Sequence, residues 1–320
     1  MKFLYIVSSP HGGSTLLSLV LGMHPRAANL GEVSLIPKQL AKAEPCTCGE
    51  PLGACATWRP VFELLARKEN VDLRTSPYGF FLGDAIKSSI GSGLIDTEYQ
   101  TRWRTAVAKL RGATDTVALL AAPHRALLRL LTLPSIRVSV DNTLRLYDIA
   151  AEAWGRQLIV DASKLPKKAV HLYLRDPTRV RILHLLRDGR GVLASRLKYM
   201  SIENAADRWI HYQKLSQRLL HRWVPEEHKR VLRYEEFATD PPSQARRLCD
   251  WLGIEFMPEM LDVSGDRTSH SAGGNPARFS LSRGIGPPDE RWRSVLSVEQ
   301  LERFERMAGA LNRELGYGGP

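Results

Sequence analysis

Cysteine, lysine and long apolar runs are scarce in this chain. Its 320 residues hold 4 cysteines, too few for the disulfide frameworks that hold small secreted domains together. No window approaches the ~18–20 consecutive apolar residues of a membrane span. The stretch that most resembles a leader is Met1 to Met23, where Lys2 precedes FLYIV and a later LLSLVLG. Ser8-Ser9-Pro10-His11-Gly12-Gly13-Ser14-Thr15 interrupts it, whereas the core of a signal peptide runs ~7–15 apolar residues unbroken. These absences predict a soluble, cytoplasmic protein. Lysine is outnumbered by arginine, 12 to 33, within a surplus of 45 − 34 = +11 over Asp and Glu. Such a bias reflects either a GC-rich genome or sites that grip phosphate or sulfate bidentately. An apolar share of 43% and a charged share of 25% exclude disordered, collagen-like and coiled-coil chains. The length is ample for a packed core without metal or disulfide support.

Along the chain, short apolar runs alternate with helix-compatible stretches. Lys2 to Val7 reads as a strand that stops at Ser-Ser-Pro and a Gly pair, with helical character from Thr15 to Met23. Gln157 to Asp161 and Arg181 to Leu186 are further strand candidates, leading into helices over 165–174 and 191–199. Val231 to Tyr234 is a fourth strand, followed by a helix from Pro241 to Leu252 that ends at Gly253 as a helix C-cap should. This alternation predicts an α/β fold, a parallel sheet with helices on its faces. A Leu-, Ala- and Arg-rich segment, about 63–133, reads as an inserted helical layer with helices over 98–111 and 116–131 and Pro134 closing it. It is either a plain cap over the sheet or a lid that binds an acceptor. Residues 264–288 read as a long loop and 297–315 as a terminal helix. No linker appears, so 1–320 is expected to be one domain.

Two segments carry chemistry. Pro10-His11-Gly12-Gly13-Ser14-Thr15 lies between strand and helix, where backbone N–H groups and the positive helix end face an anion. It lacks the Lys of a G-x4-G-K-[ST] loop, since Gly13 precedes Ser14. Alone, it is also an ordinary structural turn. The second segment, Arg187-Asp188-Gly189-Arg190-Gly191-Val192-Leu193-Ala194-Ser195, puts Arg187 at a strand end and Ser195 a little over two turns up the next helix. An arginine and a hydroxyl placed so can converge on one phosphate. A strand end with a charged first turn looks the same.

Together these segments resemble the PAPS-dependent sulfotransferases, whose first loop reads P-[KR]-S-G-[ST]-T and whose second motif reads R-[DN]-[PG]-[KR]-x4-S. Asp161-Ala-Ser163-Lys164-Leu-Pro166 is similar to the family's D-x-S-K-x-P stretch, and Val231-Leu-Arg-Tyr234-Glu235-Glu236 to its R-Y-E-D-L segment. His270, with Gly273-Gly274-Asn275-Pro276-Ala277-Arg278, resembles the H-x-x-x-G-N-P-x-R loop of a bacterial branch. Leu30-Gly31-Glu32 followed by C-x-C-G and Cys55-Ala-Thr-Trp58 fits that branch too. The likeness spans residues 3 to about 280. It implies a P-loop-NTPase-like sheet and transfer of the sulfuryl group of PAPS to an acceptor hydroxyl or amine, releasing PAP. No metal is expected.

The resemblance assigns roles by position. Backbone N–H groups of Gly12, Gly13, Ser14 and Thr15 would hold the 5′-phosphosulfate, and Arg187 with Ser195 the 3′-phosphate. Tyr234, Asn275 and Arg278 would close over the nucleotide. His11 stands where the family has a catalytic Lys or Arg and is only partly charged at neutral pH, so Lys164 is the second candidate cation. Glu32 is the candidate general base; a cap on a helix, or a pairing with Lys38 or Arg26, would explain it equally. His270 and His124 are weaker base candidates. The acceptor, a small molecule or a glycan, is not specified by any motif, and a homodimer is compatible with this reading. A P-loop kinase using ATP and a nucleic-acid-binding protein are the alternatives. The missing Lys weighs against the first, and the scatter of arginines without interleaved aromatics against the second.

Cys46, Cys48 and Cys55 remain. C-x-C-x6-C offers three thiolates where a structural zinc site wants four ligands, and His24 could complete the set only through folding. A redox-dependent disulfide and packed thiols are the other readings. Cys249 reads as a small buried hydrophobe.

Overall fold

The computed structural model describes residues 1–83, 98–263, 269–279 and 284–318; the side chains of 98–105 and 277 are not described. Five parallel strands form one sheet: β1 (Lys2–Ser8), β2 (Ala27–Gly31), β3 (Leu158–Asp161), β4 (Val180–Leu186) and β5 (Lys229–Arg233), in the order β2-β3-β1-β4-β5. In β1, alternate side chains enter different cores. Phe3, Tyr5 and Val7 join the cluster that includes Phe62, Tyr147, Val170 and Leu219. Leu4 and Ile6 join the one that includes Leu17, Val20, Leu248 and Cys249. A strand buried on both faces needs apolar residues at every position, which is why Lys2 to Val7 reads as an unbroken run.

The helices that matter below are α1 (Ser14–Gly22), α2 (Ile36–Ala41), α3 (Arg59–Glu69), α4 (Glu98–Ala121), α5 (Arg125–Leu131), α6 (Pro134–Trp154), α7 (Pro166–Arg175), α8 (Gly189–Arg196), α9 (Ile202–Trp223), α10 (Tyr234–Thr239) and α11 (Pro241–Leu252). A short helix over Trp292–Val295 and a longer one over Val298–Glu314 follow; the latter opens with a Ser297–Gln300 capping box.

Three expectations need correction. Residues 98–111 and 116–131 do not form two helices broken near 112: the first helix runs on to Ala121, and the break falls before His124, which caps α5 by accepting from the Leu127 N–H at 3.3 Å. Pro134 does not close the layer. It opens α6 at a first-turn position, where a missing N–H costs nothing. Tyr234 leaves the strand and begins α10.

Two elements had no clear sequence signal. α9 buries a stripe of Ile202, Ala205, Trp209, Gln213, Ser216 and Leu220, in which polar Gln213 and Ser216 disguise the helical period. β2 reads AANLG, poor in β-formers, yet all five residues are buried. Residues 264–268 and 280–283 of the predicted loop lie outside the described residues; its stretch 269–279 packs against β2, with Gly31 and Ala272 forming a parallel bridge. Among the described residues no helix is long and apolar enough to cross a membrane.

Candidate active site

In a parallel sheet the carboxyl ends of the strands share one edge, and the loops leaving that edge build the crevice. His11 to Thr15 follow β1, Glu32 follows β2, Lys164 follows β3, Arg187 follows β4 and Tyr234 follows β5. Residues spread over 220 positions of sequence are thereby placed along one rim.

The loop after β1 is held tightly. The Gly12 N–H donates to the Ser9 carbonyl at 3.0 Å. Gly13 sits at φ 88° with no side-chain cap for α1, and a Cβ there would press into the Tyr234 ring. The His11 carbonyl accepts from Arg187 Nη1 at 2.6 Å, which locks the loops after β1 and β4 together. The imidazole of His11 titrates below its ordinary value, through burial first and then through the charges of Arg196, Arg187, Lys164 and Lys198. Burial, and after it the site's own cations, thus favour the neutral imidazole of His11, and fixed positive charge comes from its neighbours.

Arg187 is the best-organised cation. It is buried, stacks on Tyr234 with its guanidinium carbon 4.8 Å from the ring centroid, and pairs with Asp289 at 2.9 Å. Among the described residues its Nε finds no hydrogen-bond partner. A small pocket at this point is lined by Arg187, Gly191, Ser195, Lys198, Asp289 and Arg291. Ser195 Oγ donates to the Gly191 carbonyl at 3.2 Å within its own helix. Lys198, Asp289 and Arg291 belong to no recognised motif; Asp289 and Arg291 fall just beyond the segment read as loop. The Asp289 carboxyl is held far below the ordinary carboxylate range, chiefly by the hydrogen bonds from Arg291 and also by Arg187.

Glu32 and Lys164 form an ion pair, both largely shielded from solvent. Glu32 thus pairs with the second candidate cation rather than with Lys38 or Arg26. It occupies the residue before a short 3-10 turn but makes no side-chain cap. Its backbone N–H donates to the Ala272 carbonyl at 2.7 Å. Lys164 has φ 70°, and its carbonyl accepts from the Tyr212 hydroxyl at 2.6 Å. The Asn275 N–H donates to Thr15 Oγ1 at 3.3 Å. Arg278 is buried, with Nη groups on the carbonyls of Gly273, Gly274 and Pro45, so it organises its own loop. His124 serves as a helix cap, and His270 lies among the cysteines.

A second cavity, about 780 Å³ in volume, opens beside these loops. Its wall includes Pro10 and Leu165, the chain neighbours of His11 and Lys164, and continues over Phe81, Ile136, Val140 and Leu215. Polar and charged residues line the rest, Arg111, Arg196 and Arg208 among them; His171 and Asp115 are paired at 2.8 Å, and Lys168 is pushed down to about 8 by burial despite the nearby Asp161 carboxylate. Sequence reading missed all three: Lys168 and His171 lie one turn apart on α7, but Asp115 joins them from α4 only in the fold.

A parallel sheet in this order, with a glycine-containing loop after its first strand and a buried arginine after its fourth, has a P-loop-NTPase-like α/β fold. Residues 136–258 match the family model described as "Sulfotransferase family". The fold is similar over the whole chain to the sulfotransferase domain of the Synechococcus PCC 7002 olefin synthase, at TM-score 0.51 and 19% identity over 96% of that domain. It is also similar to a sulfotransferase domain from the curacin biosynthetic pathway, at TM-score 0.50 and 18% identity, covering 100% of this chain and 99% of that one. In sequence it resembles mouse (Mus musculus) carbohydrate sulfotransferase 5, with 26% identity over 196 residues, or 52% of this chain and 49% of the relative. Mouse carbohydrate sulfotransferase 4 shows 24% over 200 residues, 52% and 50% of the two chains. The chain spans about half the length of these relatives.

Proposed function

We propose that the protein transfers the sulfuryl group of PAPS to a hydroxyl or amine of an acceptor bound in the large cavity. The observation that carries this reading is the contact of Arg187 with the His11 carbonyl at 2.6 Å, which joins two anion-facing segments into one site. The residues fit the donor: the buried Arg187 Nε lacks a partner among the described residues, and Ser195, Lys198 and Arg291 surround the same pocket. Arginine and lysine in this number suit a second phosphate, beyond what the α1 N-terminus would hold.

PAPS, when bound, supplies an activated sulfuryl group with PAP as leaving group. The chain's own work is positioning and charge compensation. N–H groups of the first turn of α1 and the Thr15 hydroxyl bind and orient the phosphosulfate end. Lys164 supplies the positive charge that neutral His11 does not, and His11 keeps a ring N–H as hydrogen-bond donor. Glu32, released from Lys164 as that cation turns toward the transferring group, takes the proton from the acceptor nucleophile at a carboxylate oxygen. Pro10, Leu165 and Tyr212 exclude water where the cavity meets this pair. The apolar wall favours an acceptor with an apolar body and one reacting polar group. The carbohydrate acceptors named for the mouse relatives belong to those proteins.

The test is a thermal-shift comparison of PAP with 5′-AMP, which lacks the 3′-phosphate. PAP should raise Tm well above the 5′-AMP value, and Arg187→Ala should erase the difference. Equal shifts from the two ligands, or phosphate transfer from ATP with Mg²⁺, would refute the reading.

A further inference from the structure

The three clustered cysteines acquire a fourth neighbour only in the fold. Cys46, Cys48 and Cys55 come from the segment between α2 and α3, and His270 from the loop that returns to β2 more than two hundred residues later. Their ligand atoms all lie within 4.8 Å of one another. Cys48 Sγ is 3.7 Å from Cys55 Sγ, and His270 Nδ1 is 3.3 Å from Cys55 Sγ and 3.7 Å from Cys46 Sγ. With Zn–S near ~2.3 Å and Zn–N near ~2.0–2.1 Å, the edges of a zinc tetrahedron are about 3.8 Å for S···S and about 3.5 Å for S···N. The observed separations match these edges. A disulfide needs ~2.05 Å between sulfurs, far shorter than the Cys48–Cys55 separation.

We propose that Cys46, Cys48, Cys55 and His270, through Nδ1, form a structural Cys3His zinc site. Gly49 turns the chain at φ 94°, with the Cys46 N–H on the Glu50 carbonyl at 2.8 Å and the Gly49 N–H on the Cys46 carbonyl at 2.9 Å. A Cβ on Gly49 would meet nothing, so the glycine serves the backbone of the turn and not its packing. Four protein ligands leave no open coordination position, so the ion is structural.

Its role follows from what His270 leads into. Thr47 Oγ1 and Ser271 Oγ are 2.7 Å apart, and Arg278 ties Pro45 to the same loop at 3.0 Å. Two residues past His270, the Ala272 carbonyl holds the Glu32 N–H, and Gly273 donates to Gln39 Oε1 at 2.6 Å. The zinc would staple this loop to the cysteine segment and so fix the backbone on which Glu32 sits. Neither the ligand set nor its test depends on the transfer reaction.

The experiment uses the full chain purified under reducing conditions from zinc-supplemented medium. Elemental analysis should find about one zinc per chain. Exchange of zinc for Co²⁺ should give the intense visible bands of a tetrahedral site and near-ultraviolet thiolate-to-cobalt charge transfer. His270→Cys should keep the metal, whereas His270→Ala and Cys48→Ser should weaken it by more than the ~10–100-fold typical of outer ligand-sphere changes. A metal-binding chelator should lower Tm of the wild type, because binding energy here is folding energy. Metal-free protein that takes up neither ion, a Co²⁺ spectrum without charge transfer, or a Cys48–Cys55 disulfide found by mass spectrometry would overturn the proposal.

Discussion

At the scale of single residues, the proposed anion site contains an acid that no motif announced. Asp289 sits between Arg187 and Arg291, at 2.9 and 2.8 Å, and so would oppose a phosphate bound there. Removing a carboxylate from the contact of an incoming anion lowers the repulsion that anion meets. Asp289→Ala should therefore bind PAP several-fold more tightly by calorimetry, while Arg187→Ala should lose about 10-fold or more, as expected for a charge-assisted hydrogen bond. Weaker PAP binding by Asp289→Ala would mean that the acid orients Arg187 for the ligand and does not compete with it. Arg187, Ser195 and the Gly12–Thr15 loop were legible because each follows a strand at fixed spacing. The contacts that decide their chemistry, Asp289 on Arg187 and Lys164 on Glu32, join residues 102 and 132 positions apart. Nothing local encodes them.

At the scale of elements, β2 decides where Glu32 goes. The register of β2 against β3 shifts between Asn29 and Gly31, and Asn29 Oδ1 accepts the Gly31 N–H at 2.8 Å. Gly31 then adopts φ 73° while the Ala272 carbonyl approaches so closely that any Cβ would collide with it. Both the left-handed backbone and the close approach require glycine. Gly31→Ala should cost more than the ~1–2 kcal/mol of a left-handed alanine alone, seen as a drop in the urea midpoint, together with a marked fall in turnover. A stable variant of normal turnover would show that the loop and β2 move independently. The weak β-propensity of AANLG hid this strand, whose place comes from pairing with β3 and from burial. α9 was hidden in a similar way, since its buried Gln213 and Ser216 look like surface positions until the helix is packed.

At the scale of the whole molecule, the +11 charge is the surplus left once ion pairs spread over many elements cancel, and a few cations are concentrated on the rim of the sheet. Arg187 and Lys164 face the proposed donor; Arg278 instead ties a loop to the cysteine segment. One half-buried cation should leave a mark on global stability. The Lys168 ammonium is pushed down to about 8, against ~10.4 for a lysine in water. Between those values the unfolded chain binds the proton that the folded chain has lost, so stability rises with pH across that window. Below about pH 8 the burial penalty is present in full. Comparing Tm from pH 7 to 10 for wild type and Lys168→Met, the wild type should gain relative to the variant as pH rises; parallel curves would place the ammonium in water. The sequence by itself determined the parallel α/β architecture and the place of the two segments proposed to face an anion, because strand burial and strand–loop–helix chemistry are written in adjacent residues. Only the tertiary structure decided the pairing of Glu32 with Lys164, the intrusion of Asp289, the large apolar cavity and the gathering of three cysteines around His270. Each of these depends on which distant segments pack together, and packing distance is not a property of neighbouring residues.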